Sequence, residues 1–570
     1  MAHRFRELTT DVLVVGSGGA ALRTVLEAND AGADVLVVVK NEFRRSGATF
    51  HSVAEVGAFN IPDGAGDAED NPDVYVNDIL TAAQGMADPQ LVRILAEEAE
   101  STLKYLEGYG VHFEQEDGRY LTFRACFSSK SRSHVIKDHF KPIIKALGME
   151  ATRRQIPVVD NLMIVNLIQR DGECLGAYAL DVDGNPVVIR AKATILTTGG
   201  ASQLFATNLY PPDITGDGYA MAYRAGAQLT NMEFMQAGVS IHAPFINLFG
   251  NYLWDARPSL TDKDGELFIK DYLPDGLTLE QVLEDKERHF PFSSSDNSKY
   301  VEISIQKAIN SGRGSPEGGV YMDFIDTDFD RILSDKSRSI ARMWPLTYEW
   351  YEKRGVDLNK DKVQITCSAH AINGGLRIDG DAQSTNLKGL YAAGETAAGP
   401  HGADRLGGNM ALTCQVFGAR AGRAAAARAR EVQHRTVLDI YDEQAEYLAR
   451  FSSRGSTKLD NLRQDLQALS NKHLLVIRDD EGLSSYLAGL DELQMRLLAA
   501  TGIETAEQRK LAIETDNLIE VGRMMARAGL HRKESRGSHY REDFPQPDIA
   551  FDKNIIHDIS HEQSLFEAAL

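Results

Sequence analysis

The chain has 570 residues, 43% hydrophobic and 25% charged, the composition of an ordinary globular protein too long for one simple core. Its 61 Lys and Arg against 82 Asp and Glu give a formal charge of −21, which disfavours nucleic acid or an anionic membrane surface as partner. No apolar run reaches the roughly 18–20 residues that span a bilayer, so no direct membrane insertion is expected.

Met1–Asp11 is charged and lacks the apolar centre of a secretory signal. Val12–Val15 reads as a buried strand, Ala20–Asn29 as a helix ended by Ala31-Gly32, and Asp34–Val39 as a second strand buried on both faces. Together they predict a βαβ unit. Gly57–Pro72, rich in Gly, Asp, Asn and Pro, reads as a surface loop, and Asp88–Tyr109 as a helix with an apolar face. Between Leu162 and Val188, alternation around Asp183-Gly184-Asn185 predicts a hairpin, followed by a separate buried strand at Ala193–Thr198. From about Gly238 to Val356 the periodicity fades and aromatic residues, Pro and Ser increase, as expected of an inserted domain. Gly389–Ala393 resumes the buried strands, Met410–Arg430 is an alanine-rich helix, and the pattern beyond Thr436 is helical to about Ala528.

Gly16-Ser17-Gly18-Gly19-Ala20-Ala21 fits G-x-G-x-x-A between the first strand and helix. Gly16 permits the tight turn, Gly18 the approach of a pyrophosphate, and Ala21 close helix–strand packing; Gly19 and Ala20 continue the helix N-terminus facing the phosphates. The second strand ends in Lys40 where a ribose-binding carboxylate is usual, which leaves FAD and NADP both open. Two later buried strands run into Gly199-Gly200 and Gly394-Glu395. Backbone brought to one dinucleotide from such distant segments fits a resident prosthetic group better than a departing co-substrate.

In order along the chain come Arg45-Ser46-Gly47-Ala48-Thr49, Thr215-Gly216-Asp217-Gly218, Met232–Gln236, Gly318–Asp323, His370 through Gly374-Gly375, His401–Asn409 and Arg532–Pro545. This pattern resembles the flavoprotein subunits of succinate dehydrogenase and fumarate reductase, with L-aspartate oxidase and the adenylylsulfate reductase flavoprotein as relatives. The resemblance covers nearly the whole chain. It implies an α/β fold: a Rossmann-like FAD-binding domain (1–237 and 358–430), an inserted α+β capping domain (238–357) and a C-terminal helical domain (431–570). It also implies hydride transfer between flavin N5 and a carbon next to a carboxylate, in reduction of an unsaturated acid or dehydrogenation of a dicarboxylate or amino acid. Ser46, Gly47, Ala48, Thr49, Asp217, Asn409, Met410 and Ala411 would lie against the cofactor. Gly47 occupies the position of the histidine that links FAD covalently in succinate dehydrogenases, so non-covalent FAD is expected, with the lower potential that favours reduction or oxidase chemistry.

The resemblance further gives His370 and Arg405 the role of holding the substrate carboxylate, a task suited to a guanidinium that keeps its charge and binds in bidentate fashion. The alternatives are a loop histidine and an Arg405–Asp404 salt bridge. Arg257 corresponds to the capping-domain arginine that carries a proton, though the Gly-Glu-Gly that follows it in relatives is missing here. Gly238 replaces the histidine that binds a second carboxylate; either His242 compensates or the pocket is enlarged. Arg124, Lys130, Arg132, His134, Lys137, His139 and Lys141 read as a solvated basic loop, or as a receiver for an anionic substrate or acidic electron-transfer partner. Arg532, Arg536 and Arg541 are expected in structural ion pairs.

The four cysteines, Cys126, Cys174, Cys367 and Cys414, show no metal-ligand spacing, so no metal site is expected and a cytoplasmic setting fits best. The expected partners are a small anionic carboxylate and, as the alternative function, a separate iron–sulfur protein exchanging electrons with this chain. A homo-oligomer is left open.

Overall fold

Strand β1 (Arg6–Val15), helix α1 (Gly19–Asp30) and strand β2 (Val35–Val38) form the βαβ unit, with β1 and β2 paired in parallel. The computed structural model describes residues 6–51, 54, 56–437, 440–451, 459–499, 503–561 and 566–568. β1 lies between β2 and Pro186–Leu196 in a seven-stranded sheet, and Leu390–Ala392 pairs in parallel with the same long strand. The carboxyl ends of these strands therefore meet, where ligands bind in open α/β sheets. The long helix Asn409–Glu431 packs along α1, tied by Thr24 Oγ1 donating to the Gly418 carbonyl at 3.0 Å.

Three sequence expectations change. The hairpin's second strand and the strand expected at Ala193–Thr198 are one eleven-residue strand, Pro186–Leu196. Half-buried Arg190 and Lys192 interrupt the apolar run without ending it, because each finds an acid on the neighbouring strand β1, Glu7 and Asp11. The helix expected over Asp88–Tyr109 is two helices, Pro89–Glu97 and Ala99–Gly108, broken at Glu98. The basic run is only partly solvated: Arg124, Lys137 and Lys141 are exposed, and the others are not. Arg132 is wholly buried between Asp70 at 2.7 Å and Asp78 at 2.5 Å, Lys130 pairs with Asp67 and Glu69, and His134 meets Asp63 at 3.1 Å.

Between Met235–Ala243 and Val363–Ile372, which pair antiparallel, the chain builds a second sheet in the order Asn247–Leu248, Met235–Ala243, Val363–Ile372, Val320–Asp323, Ser259–Thr261. Helices Leu279–Arg288, Lys299–Asn310 and Ser339–Glu352 accompany it. Past the long helix come Ile440–Ala449, Leu459–His473, Asp480–Leu498 and Ala506–His531, the last opened by a Thr505/Gln508 capping box. The fold is α/β and Rossmann-like, with an inserted α+β cap and a C-terminal helical domain. Arg532, Arg536 and Arg541 do form ion pairs, and one ties the end of the last long helix to the stretch just before Met235–Ala243: Arg532 meets Glu233 at 2.7 Å with both side chains fully buried. Among the described residues no helix is long and apolar enough to cross a membrane.

Candidate active site

A continuous cavity opens where β1, Pro186–Leu196 and Leu390–Ala392 end. Gly16, Gly18, Gly19 and Ala20 line one end, and Ser46, Gly47, Ala48, Thr49, Gly199, Asp217, Gly394, Glu395, Met410 and Ala411 line its length. At Gly16 the backbone is left-handed (φ +121) and a Cβ would lie 2.6 Å from the Thr197 carbonyl oxygen, so no other residue fits where the strands converge. The first turn of α1 has no acidic residue and no side-chain cap from Gly18; Gly19 N donates to Thr49 Oγ1 at 3.3 Å, and the positive end of the helix dipole faces the cavity.

Lys40 also lines the cavity, but its three ammonium protons are engaged: Thr215 Oγ1 at 2.6 Å, Asp217 at 2.9 Å and Glu514 at 2.8 Å. Burial opposes its charge, yet the two carboxylates outweigh this and raise its pKa. A fully paired ammonium has nothing to offer a ribose phosphate, and its partner Asp217, held also by Asn517 at 2.8 Å, stands beside it on the cavity wall. Three expected cofactor residues lie off the wall. Ala21 is buried in helix–strand packing. Gly200 makes room for Glu395, whose Oε1 would be 2.1 Å from a Cβ there. Asn409 accepts from Asn60 Nδ2 at 2.6 Å and Tyr75 at 2.5 Å, fixing the start of the long helix.

At the far end, Arg405 and His370 share the wall with Glu395. Arg405 is 4% exposed; its Nε donates to Gln236 Oε1 at 2.9 Å and its Nη1 to the Leu406 carbonyl at 3.0 Å. Asp404 does not pair with it, being held instead by Ser293 at 2.6 Å and Gln84 at 3.2 Å. Burial, with Arg405 nearby, lowers the His370 pKa to about 3, so the imidazole is neutral, and its buried Nδ1 has no partner among the described residues. Burial raises Glu395 to about 7, against the Ile372 N–H that it accepts at 3.0 Å and the Arg405 charge. These groups form a site with one fixed cation and a neutral ring, able to hold one carboxylate.

Two expected catalytic residues are not brought here. Arg257 lies off the cavity wall, clamped by Glu280 at 3.2 Å, Glu287 at 3.1 Å and the Trp254 carbonyl at 3.1 Å. His242 is four residues beyond Gly238, about 13 Å along a strand, at the register shift between Ile241 and Ala243, and is bonded to the Glu317 carbonyl at 3.0 Å. It does not take the place of a side chain at 238. Nor is the pocket enlarged there, because Phe290 and Pro291 from the cap cover Gly238. Sequence reasoning also missed Gln236, although it ends the distinctive Met232–Gln236 segment, and Tyr210, whose ring is 5.7 Å from that of His370. For Phe290 no local signal existed.

The strained glycine turn, the α1 terminus facing the cavity and the orphaned His370 nitrogen all fit FAD with its ring at the Arg405 end. The FAD binding domain family matches residues 11–410, and the fumarate reductase flavoprotein C-term family matches 463–563. The fumarate reductase (CoM/CoB) subunit of Methanothermobacter marburgensis is 32% identical over 564 residues, 96% of either chain. L-aspartate oxidase of Caulobacter vibrioides is 28% identical over 94% of either chain. The solved structure of Mycobacterium smegmatis Sdh1 in complex with UQ1 superposes with a TM-score of 0.81 at 27% identity, covering 97% of this chain and 92% of that one. The cavity and these similarities lead to one conclusion: the chain belongs to the fumarate reductase/succinate dehydrogenase flavoprotein family and is an FAD-dependent oxidoreductase.

Proposed function

We propose that this enzyme interconverts an unsaturated small acid and its saturated counterpart, or dehydrogenates an amino acid, at the ring end of the cavity. The chemistry that bound FAD supplies is hydride exchange at N5. Arg405 neutralises the substrate carboxylate and stabilises charge that builds on the adjoining carbon, while the neutral His370 ring adds a hydrogen bond and orients the acid. The observation that carries this reading is the Arg405 guanidinium itself: it is buried on the cavity wall, its Nε is held by Gln236, and no carboxylate among the described residues pairs with it.

The test is anaerobic reduction of the yellow protein followed by reoxidation with a panel of 2-enoic acids. Rapid return of the oxidised spectrum with one of them, or rapid bleaching of the oxidised protein by a saturated acid or an amino acid, is expected; reoxidation by oxygen alone, with no acid or amino acid moving the spectrum in either direction, contradicts the reading. Gly47, φ +83 on the cavity wall, carries no side chain to attach a flavin, which supports non-covalent FAD. Acid precipitation should leave all flavin in the supernatant; flavin retained on the pellet would refute this.

A second reading makes the chain the flavin-bearing half of an electron-transferring pair. One observation favours it: a relative with 32% identity is named as one subunit of its enzyme. Electrons would then reach this chain from a separate iron–sulfur protein. Co-purification of a cysteine-rich partner checks it.

A further inference from the structure

An acid held by Arg405, which is the reading proposed for this site, has a second end, and the residues around Gly238 define what that end meets. Gly238 is two residues beyond Gln236 and pairs with Ser368, two residues before His370, across a register shift at Gln236/Ala237. A Cβ there would lie 3.2 Å from the Phe290 ring and 3.3 Å from Pro291, and both of these residues line the cavity beside Leu248 and Phe249. This apolar wall is fixed in place. Phe292 N donates to the Ala237 carbonyl at 2.8 Å, Ser294 N to the Gly537 carbonyl at 2.7 Å, and Ser293 Oγ to Asp404 at 2.6 Å.

The charges agree with the shape. Among the described residues, Lys40 and Arg405 are the lysine and arginine on the cavity wall, and Lys40 is spent on Asp217 and Glu514. That leaves Arg405, for one carboxylate. We infer that the ligand at this site is an acid with a single carboxylate and an apolar far end, an alkyl- or aryl-substituted monocarboxylate rather than a four-carbon dicarboxylate. A second carboxylate set against Phe290 and Leu248 would lose its hydration with no cation to replace it. A hydrocarbon group there gains contact and loses nothing polar.

Titration of the oxidised, FAD-loaded protein with 3-phenylpropanoate, butanoate and succinate, read by the flavin absorbance change, tests this. Both monocarboxylates are expected to bind more tightly than succinate, 3-phenylpropanoate by about tenfold or more. Phe290→Ala should weaken 3-phenylpropanoate several-fold and leave succinate unchanged, while Phe290→Leu, which keeps apolar bulk, should retain most of the affinity. Succinate binding as tightly as either monocarboxylate overturns the inference alone. No spectral response to any of the three acids overturns it together with the carboxylate reading.

Discussion

Arg405 and Gln236 hold each other twice: Arg405 Nε donates to Gln236 Oε1 at 2.9 Å, and Gln236 Nε2 donates to the Arg405 carbonyl at 3.1 Å. One residue lies in a strand of the cap sheet and the other in the loop before the long helix, so the pair locks the cap to the site it covers. Gln236→Leu should keep FAD and fold but let the guanidinium swing. A hydrogen bond to a charged group contributes about 1.5–3 kcal/mol, so kcat/KM should fall about tenfold to a hundredfold, chiefly through weaker acid binding. Unchanged acid affinity would dismiss Gln236 as a positioning residue.

Arg405→Lys retains a charge but loses the planar fork and the bond to Gln236. Flavin content should match wild type, and turnover with the best acid should fall by about a hundredfold or more. A wild-type rate would remove Arg405 from the substrate site.

Glu395 sets a pH dependence. Its pKa is raised from an ordinary 4.5 to about 7, so between those values the folded protein holds a proton that the unfolded chain has released. Its contribution to stability is therefore full below pH 4.5 and is lost as pH rises through 7. Ionised Glu395 also competes with substrate for Arg405, so acid affinity should fall as pH rises through about 7. Glu395→Gln should flatten both profiles. An affinity profile that is flat in the wild type would contradict the assignment.

Gly16→Ala places a methyl 2.6 Å from the Thr197 carbonyl oxygen at φ +121. Strain of this kind costs about 1–3 kcal/mol or more, so the melting temperature should drop and the purified variant should be pale. A variant with full flavin content would show that strand β1 ends elsewhere than at the pyrophosphate.

What the sequence made legible follows from range. The βαβ unit and the Gly16–Ala21 turn are local patterns, and their structural demands are met within about forty residues of chain. That Arg405 and His370 share one cavity wall was legible because each sits in a distinctive short segment. The errors involve partners brought from afar. Lys40 left FAD and NADP both open because Asp217 and Glu514, which neutralise it, come from distant parts of the chain. Arg132 looked solvated because Asp70 and Asp78 come from a distant stretch of chain. Gly238 looked like a widened pocket or a compensated loss, and only the packing of Phe290 onto it shows a wall. Arg257 was placed by its position in a cap whose neighbouring motif is missing, and the structure gives it two glutamates instead.

The most direct measurement is a crystal structure of the FAD-loaded protein with 3-phenylpropanoate. The carboxylate should lie about 2.7–2.9 Å from the Arg405 guanidinium nitrogens, beside His370, with the phenyl ring against Phe290. A carboxylate bound at Arg257, or elsewhere in the cap with Arg405 unengaged, would contradict the account.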